Sequence, residues 1–333
     1  MSVVAGQPAI SVVLCTFNGE RFIEEQLSSI LAQTVTPAEI IVSDDGSTDS
    51  TLEIVRSIAA HAPSGSAPRF VITSRENALG PAENFATALA TARSDIIALA
   101  DQDDVWVPEK LAVLSEHFRH DARVLLVHSD ARLINEAGVA GSTLMSTLRL
   151  TRGERDDLKS GAGIRALLRR NLVTGATVML RRSLLAHALP IPSGWLHDEW
   201  LALVAALGNG LVFEPQALID YRQHEGNVIG AEATTAAVAR GRLQQSRGAF
   251  FAAKERRNQA LVSLVTAPPP WLSASHLALL AEKVEHDRWR ASLPEARALR
   301  LGPVIVRSVR GHYRRFARGG IDTVRDLMLR DGK

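Results

Sequence analysis

The chain has 333 residues, 46% of them hydrophobic and 22% charged, with 23 glycines, 14 prolines and a formal net charge of +2. Disordered, collagen-like and low-complexity architectures are excluded, and the length fits two domains or one large α/β domain with an extension. A single cysteine, Cys15, excludes an internal disulfide framework and a cysteine-based zinc site, and fits a reducing compartment.

In chain order, residues 10–17 form a short, β-branched apolar run and predict a buried strand. No basic segment precedes this run, and it is too short for a signal sequence. After Gly19, Ile23, Leu27, Ile30 and Leu31 recur at helical spacing. Residues 39–43 predict a second buried strand, closed by Asp44-Asp45-Gly46. Ser50-x-x-Glu53 then has capping-box spacing for a helix to about His61. Strand is predicted for 69–73, helix for 81–91 and strand for 95–100. Pro108 marks a helix start, with Leu111, Leu114 and Phe118 on one face.

Residues 124–128 predict strand, and 141–163 are polar and irregular, predicting a flexible loop. Strand is expected over 172–180, helix over 197–207 and strand over 211–219. Beyond Gly230 the pattern is helical throughout, interrupted at Pro268-Pro269-Pro270. The longest apolar stretch, 201–213, is broken by Gly208, Asn209 and Gly210, well short of the roughly 20 residues that span a bilayer. A cytoplasmic location is expected, with attachment to the inner face of the plasma membrane as the variant of it.

Four βα units in the first 120 residues predict a mostly parallel sheet with helices on both faces. Ligands of such sheets bind beyond the carboxyl ends of the strands, here residues 16–18, 44–47 and 101–104. Asp101-Gln102-Asp103-Asp104 gathers carboxylates that repel one another unless a cation compensates. A hard metal shared with substrate phosphates fits that need, and a solvated acidic turn before Pro108 is the alternative. In Asp44-Asp45-Gly46-Ser47-Thr48-Asp49 the glycine permits a tight turn. The carboxylates there can accept hydrogen bonds from a base or ribose, or Asp49 or Ser50 can cap the following helix. Asp101-x-Asp103-x-Val105 also fits the nucleophile loop of haloacid-dehalogenase-type phosphatases, although that loop follows a first strand and this one a fourth. No P-loop is present. The one G-x-G-x-x-A match, from Gly161 to Ala166, follows a polar loop instead of a strand. Cys15 reads as a small buried hydrophobe.

Taken together these residues resemble family 2 glycosyltransferases of the GT-A fold, inverting enzymes with nucleotide-sugar donors. The resemblance runs from Ile10 to about Gly230. Ser11-Val12-Val13-Leu14-Cys15-Thr16-Phe17-Asn18-Gly19 is similar to their first strand and nucleotide loop, with Phe17 in place of the usual Tyr. Asp45 matches the carboxylate that reads the base edge, and Asp101-Gln102-Asp103 matches the D-x-D element. Trp195-Leu196-His197-Asp198-Glu199-Trp200 resembles the general-base segment, and Tyr221-Arg222-Gln223-His224-Glu225-Gly226-Asn227 the segment whose His completes the metal site. With Asn77-x-x-Gly80-Pro81-x-x-Asn84-Phe85, the set is most similar to the rhamnosyltransferase-like branch.

The resemblance implies a catalytic domain over 1–230 and a basic, mainly helical extension over 231–333. It implies nucleotide binding by Thr16, Phe17, Asn18, Glu20, Asp45, Asn77, Asp101 and Gln102. Mg²⁺ or Mn²⁺ would be held by Asp103 and His224. Asp198 would be the base, with Glu199 its rival, and Trp195, His197, Glu199 and Trp200 would form the acceptor site. Arg222 is a candidate diphosphate contact, by arginine's preference for bidentate phosphate binding. The implied partners are a dTDP- or UDP-sugar and a glycan or lipid-linked acceptor. A non-catalytic nucleotide-sugar-binding protein is the rival reading, although it would have been free to lose Asp198 or His224.

The net charge conceals an asymmetry of −8 over 1–230 and +10 over 231–333. Within 303–329 lie Arg307, Arg310, Arg314, Arg315, Arg318 and Arg325, with Ile305, Val309, Tyr313 and Phe316 at helical spacing among them. That pattern predicts either an anionic membrane surface as partner or a helix packed on the acidic domain. Nucleic acid is not expected, since no zinc-finger, RNA-recognition or helix-turn-helix signature accompanies the charge.

Overall fold

In the computed structural model, which describes residues 8–62, 67–224 and 247–329, strand β1 (Ile10–Thr16) is buried along its whole length. Its side chains alternate between two cores, Val13 and Cys15 in one, Ile10, Val12 and Leu14 in the other. A strand covered on both faces needs apolar residues at successive positions, which is why this run shows no alternation. Next come α1 (Ile23–Leu31), β2 (Glu39–Asp44), α2 (Thr51–His61), β3 (Arg69–Ser74), α3 (Pro81–Thr91) and β4 (Ile96–Ala100). The four strands pair in parallel in the order β3-β2-β1-β4. The carboxyl ends of β2, β1 and β4 therefore stand side by side.

The second half holds β5 (Val105–Trp106), α4 (Lys110–His120), β6 (Leu126–Asn135), β7 (Ala140–Thr143), α5 (Leu144–Thr147), α6 (Arg152–Lys159), α7 (Gly163–Leu167), β8 (Val178–Arg181), α8 (Leu185–Ala188), α9 (His197–Leu207) and β9 (Leu211–Gln223). The sheet continues β8-β6-β9-β5, with β8 antiparallel to both neighbours and β9 parallel to β6. The short β5 pairs antiparallel with β9 at Val105–Asp220 and Trp106–Ile219. That pairing carries the residues just before β5 to the far end of β9.

Among the described residues five helices follow: α10 (Arg247–Thr266), α11 (Ala274–Ala291), α12 (Arg297–Val309), α13 (His312–Phe316) and α14 (Gly320–Met328). Leu261, Leu280, Val284 and Phe316 enter the same apolar core as α9 and one face of the sheet. Four of the described basic residues here, Arg247, Lys283, Arg290 and Arg300, are internal. Arg290, fully buried, donates to both carboxylate oxygens of Asp326 at 2.6 and 2.9 Å, and Tyr313 donates to the same carboxylate at 2.6 Å. Arg300 spends its guanidinium on the carbonyls of Pro294, Glu295, Asp326 and Leu329. Among the described residues, no helix is long and apolar enough to cross a membrane.

Three local expectations are corrected. The capping box at Ser50 and Glu53 does not form, since the Ser50 side chain makes no cap bond. Instead Asp49 accepts from the Thr51 amide at 3.0 Å. A capping box does form at Thr151 and Glu154, inside the stretch expected to be a loop. Buried Leu144, Leu150 and Leu158 anchor that stretch, so tertiary burial makes short helices where periodicity shows none. Finally, the strand expected over 172–180 is a 3-10 turn (Gly175–Thr177) followed by the short β8. A Cβ on Gly175 would stand 2.7 Å from His197 Nε2, so the glycine lets the backbone lie against α9.

Candidate active site

One cleft of about 2820 Å³ opens at the carboxyl ends of β1, β2 and β4 and runs to the C-terminal helices. That exceeds the roughly 300–1,000 Å³ of a small-ligand pocket. Thr16, Phe17, Asp45, Asp101, Gln102 and Asp103 line one end, and Trp195, His197, Asp198 and Glu199 the middle.

Phe17 is held through its backbone. Its N–H donates to Gln102 Oε1 at 2.8 Å, and Gln102 Nε2 donates to its carbonyl at 3.0 Å. The residue is left 51% exposed, its ring available for stacking. Gly19 makes this clasp possible, because a Cβ there would collide with the Gln102 amide. Thr16 donates to Asp44 at 2.8 Å, and Asp44 in turn accepts from the Gly46 and Ser47 amides. Asp45 accepts from Arg75 at 3.0 Å and from the amides of Leu79 and Gly80 at 2.9 and 2.8 Å. It thereby ties β2 to the loop that opens α3.

The acidic strand end is deeply buried and electrostatically loaded. Burial, with the charges of Asp103 and Asp198, pushes Asp101 up to about 7. Burial and the neighbouring aspartates push Asp104 well up too. Asp104 Oδ1 accepts from the Arg222 amide at 3.0 Å, while its Oδ2 has no hydrogen-bond partner. Lys110 lies beneath them, fully buried, donating to the Ala176 carbonyl at 2.6 Å and standing 3.7 Å from the centre of the Trp106 ring. Its burial lowers it to about 7 against the pull of Asp104 and Asp101.

His224 Nε2 meets Asp103 Oδ2 at 2.8 Å, across 121 residues of sequence. One imidazole nitrogen and one carboxylate converging on a point fit a divalent cation. Among the described residues, no group of three or more His, Cys, Asp or Glu is arranged to hold an ion. A cation here would therefore take its other ligands from water and a substrate diphosphate, as Mg²⁺ commonly does.

Asp198 lies in the first turn of α9, whose cap position is Leu196. It is 9% exposed, and its carboxylate accepts from the Glu199 amide at 2.7 Å and the Gly175 amide at 3.1 Å. Burial raises it to about 7 despite those donors. Glu199, the rival base, is paired with Arg257 of α10. Arg257 also stacks over the Trp195 ring at 4.3 Å, and Trp195 Nε1 donates to the Arg257 carbonyl at 3.1 Å.

The sequence profile of glycosyl transferase family 2 matches residues 11–184, just over half of the chain. The chain belongs to glycosyl transferase family 2. It is 29% identical over 276 residues to an uncharacterized protein of Mycobacterium bovis, covering 78% of this chain and 73% of that one. It is 30% identical over 145 residues to an uncharacterized glycosyltransferase of Nostoc sp., covering 42% and 44%. Its fold is that of S. aureus TarS 1-349 in complex with UDP-GlcNAc, with a TM-score of 0.57 at 20% identity over 96% of this chain and 90% of that one. The mannosyltransferase PcManGT of Pyrobaculum calidifontis, in complex with GDP-Man and Mn²⁺, aligns with a TM-score of 0.51 at 18% identity, covering 86% and 84%. The architecture is GT-A, α/β with flanking helices and further helices at the C-terminus.

Not all the residues that the transferase's motifs single out reach the cleft. Asn18 and Glu20 face the 47–50 loop: Asn18 Oδ1 accepts from the Thr48 amide and Glu20 Oε2 from the Ser50 amide, both at 2.9 Å. Asn77 is exposed outside the cleft lining. Trp200 anchors α9 by donating to the Ala188 carbonyl at 2.8 Å. Arg222, the candidate diphosphate contact, is 2% exposed and does not line the cleft. Its guanidinium donates to the carbonyls of Asp103 and Glu136 and to Glu25, which directs it at the acidic loop's backbone instead of the cleft. The rest of the downstream motif, residues 225–227, lies outside the described residues. His197 stacks on Phe85 at 3.9 Å, and its burial lowers it to about 3, so it is neutral.

Sequence reasoning missed four participants. Arg75 clasps Asp45 and Asn84. Lys110 lies buried beside the acidic loop and donates to the Ala176 carbonyl, and the Gly175 amide holds Asp198. Arg257 braces Trp195 and Glu199 from α10. Lys110 had a signal, being a lysine at a helix start whose neighbours Leu111 and Leu114 are core. The other three are set by packing between distant segments.

Proposed function

We propose that the transferase moves a sugar from a dTDP- or UDP-linked donor to a hydroxyl of a glycan or lipid-linked acceptor, with inversion at the anomeric carbon. Rhamnose is the proposed sugar, on the motifs from Asn77 to Phe85. Residues 1–230 form the catalytic domain of this reading and 231–333 its extension, which meets an anionic membrane surface. The observation that carries it is one buried carboxylate, Asp198, in the same cleft as the acidic strand ends and the exposed Phe17 ring.

Inverting transfer needs a base at the acceptor hydroxyl and positive charge at the departing diphosphate. Asp198 accepts the acceptor proton. Two amides and the amino end of α9 hold its ionised form, while burial keeps its proton affinity near neutrality. Glu199, engaged by Arg257, shapes the acceptor side. Phe17 stacks on the nucleobase, and Gln102 keeps that ring in place. Asp103 and His224 hold Mg²⁺ or Mn²⁺, which when bound supplies Lewis-acid stabilisation of the leaving diphosphate. The cleft lining also carries Arg149, Arg314 and Arg318, beside Arg169, Lys254 and Arg257, which are paired with Asp157, Asp287 and Glu199, and this supports an acceptor bearing phosphate, as a lipid-linked one does.

The test is a panel of nucleotide sugars with Mg²⁺ or Mn²⁺, assayed for nucleoside diphosphate release with candidate acceptors. One donor should be consumed. Asp198→Asn should lower kcat about 10²–10⁴-fold while leaving nucleotide affinity unchanged. Silence with every donor and acceptor would overturn the reading, as would phosphate release from simple phosphomonoesters.

A further inference from the structure

Of the eleven large apolar side chains that stand exposed among the described residues, eight lie between Leu299 and Met328. They are arranged on two helices. In α12, Arg300 and Val304 face inward and are fully buried, while Leu301, Ile305, Val306 and Val309 face outward, Val309 at 83% exposure. In α14, Asp322 and Asp326 face inward onto Arg290, while Ile321, Val324 and Met328 are each more than half exposed. The two helices pack against each other, so their outer rows adjoin. Contiguous apolar surface of this kind marks a contact site.

Spacing alone grouped Ile305, Val309, Tyr313 and Phe316 in one stripe. The structure divides it. Gly311, at φ +82°, turns the chain, so that Tyr313 and Phe316 are buried while Ile305 and Val309 stay outside. The charges divide too. No acidic residue occurs in α12, and both carboxylates of α14 are buried. Arg297, Arg310 and Arg314 are exposed along α12 and α13. An apolar face with a cationic rim and no exposed carboxylate on either of its two helices complements an anionic bilayer interface, the nearby exposed Glu285 being paired with Arg307 of α12 at 2.8 Å. Against a second copy of the same face, the rims would repel.

We propose that the outer face of α12 and α14 is a docking surface for an anionic lipid bilayer, its apolar side chains entering the interface and the rim arginines meeting the headgroups. Ile321 belongs to this face and also lines the catalytic cleft, beside Arg314 and Arg318. Docking therefore sets the cationic end of the cleft at headgroup level, where the phosphate of a lipid-linked acceptor lies. That consequence rests on the transferase reading proposed above. The docking itself does not require turnover.

The experiment is flotation of the full chain with phosphatidylcholine vesicles, with and without phosphatidylglycerol, over a range of salt. The protein should float with the anionic vesicles and release as salt rises. An Ile305→Ser, Val309→Ser, Val324→Ser variant should lose on the order of tenfold or more in partition. Arg310→Glu with Arg314→Glu should remove most of the salt dependence. Should the triple variant misfold, a solvatochromic dye on Val309→Cys gives the second reading. Cys15 is buried, and the dye should shift to the blue only with anionic vesicles. No flotation and no dye shift would overturn the proposal. So would a wild-type dimer that the triple variant dissociates in the absence of any vesicle binding. Nucleoside diphosphate release with a soluble acceptor, measured on the triple serine variant, whose three positions lie outside the cleft lining, separates failure of docking from failure of the transferase reading.

Discussion

At the residue scale, Asp198 is set by opposing forces. Burial and the charge of Glu199 raise its proton affinity, while the amides of Glu199 and Gly175 lower it, and burial prevails at about 7. A base works only when ionised, so kcat/KM should rise about tenfold per pH unit below about 7 and level off above it. A flat profile from roughly pH 5 to pH 8 would reject Asp198 as the base. The residues legible in the sequence were those whose chemistry is local: the carboxylates ending β2 and β4, the aromatic ring after β1, the acid opening α9. Arg75 and the Gly175 amide were not legible. Arginine and glycine occur everywhere, and only the approach of distant segments gives these two a partner.

At the element scale, strands and helices with strong periodicity lay where expected, and α9 runs over the predicted 197–207. The failures share one cause. Over 141–163 and 172–180 the backbone follows contacts made by other elements, such as Arg170 on Glu154 and His197 against Gly175. The C-terminal helices are fastened in a similar way, by a buried ion pair. Arg290→Met leaves Asp326 without its cation and should destabilise the protein by about 3–5 kcal/mol in urea titration. Arg290→Met with Asp326→Leu should recover much of that loss, because the unpaired buried charge is gone. Equal losses in the single and double variants would show that the pair is a minor contributor.

At the scale of the whole molecule, proton binding couples to folding through groups buried away from the cleft. His128 is fully buried on β6, its ring nitrogens without hydrogen-bond partners, and burial lowers it to about 3. The folded protein keeps it neutral while the unfolded chain protonates it below about 6.5. Its contribution is thus complete above that pH and is lost as pH falls. A His128→Leu variant should gain about 2 kcal/mol on wild type between pH 7.5 and pH 5, read from urea midpoints. An unchanged difference between the two proteins would mean that water reaches the imidazole.

The opening charge count shows where sequence stops. Composition, periodicity and motif order by themselves determined an α/β chain with acidic strand ends and a basic helical end, because strand runs, caps and carboxylate clusters are local properties of the chain. Which strand ends adjoin was decided by the order β2-β1-β4 and by β5 crossing to β9, which brings Asp103 to His224. What the +10 means was also decided only in three dimensions. Arg290 and Arg300 are internal and hold helices together, their neighbours Asp322 and Asp326 are buried with them, and the surface left between α12 and α14 is apolar with a cationic rim. Formal charge adds along a sequence. Its effect depends on which charges are buried against a partner and which face water, and only packing settles that.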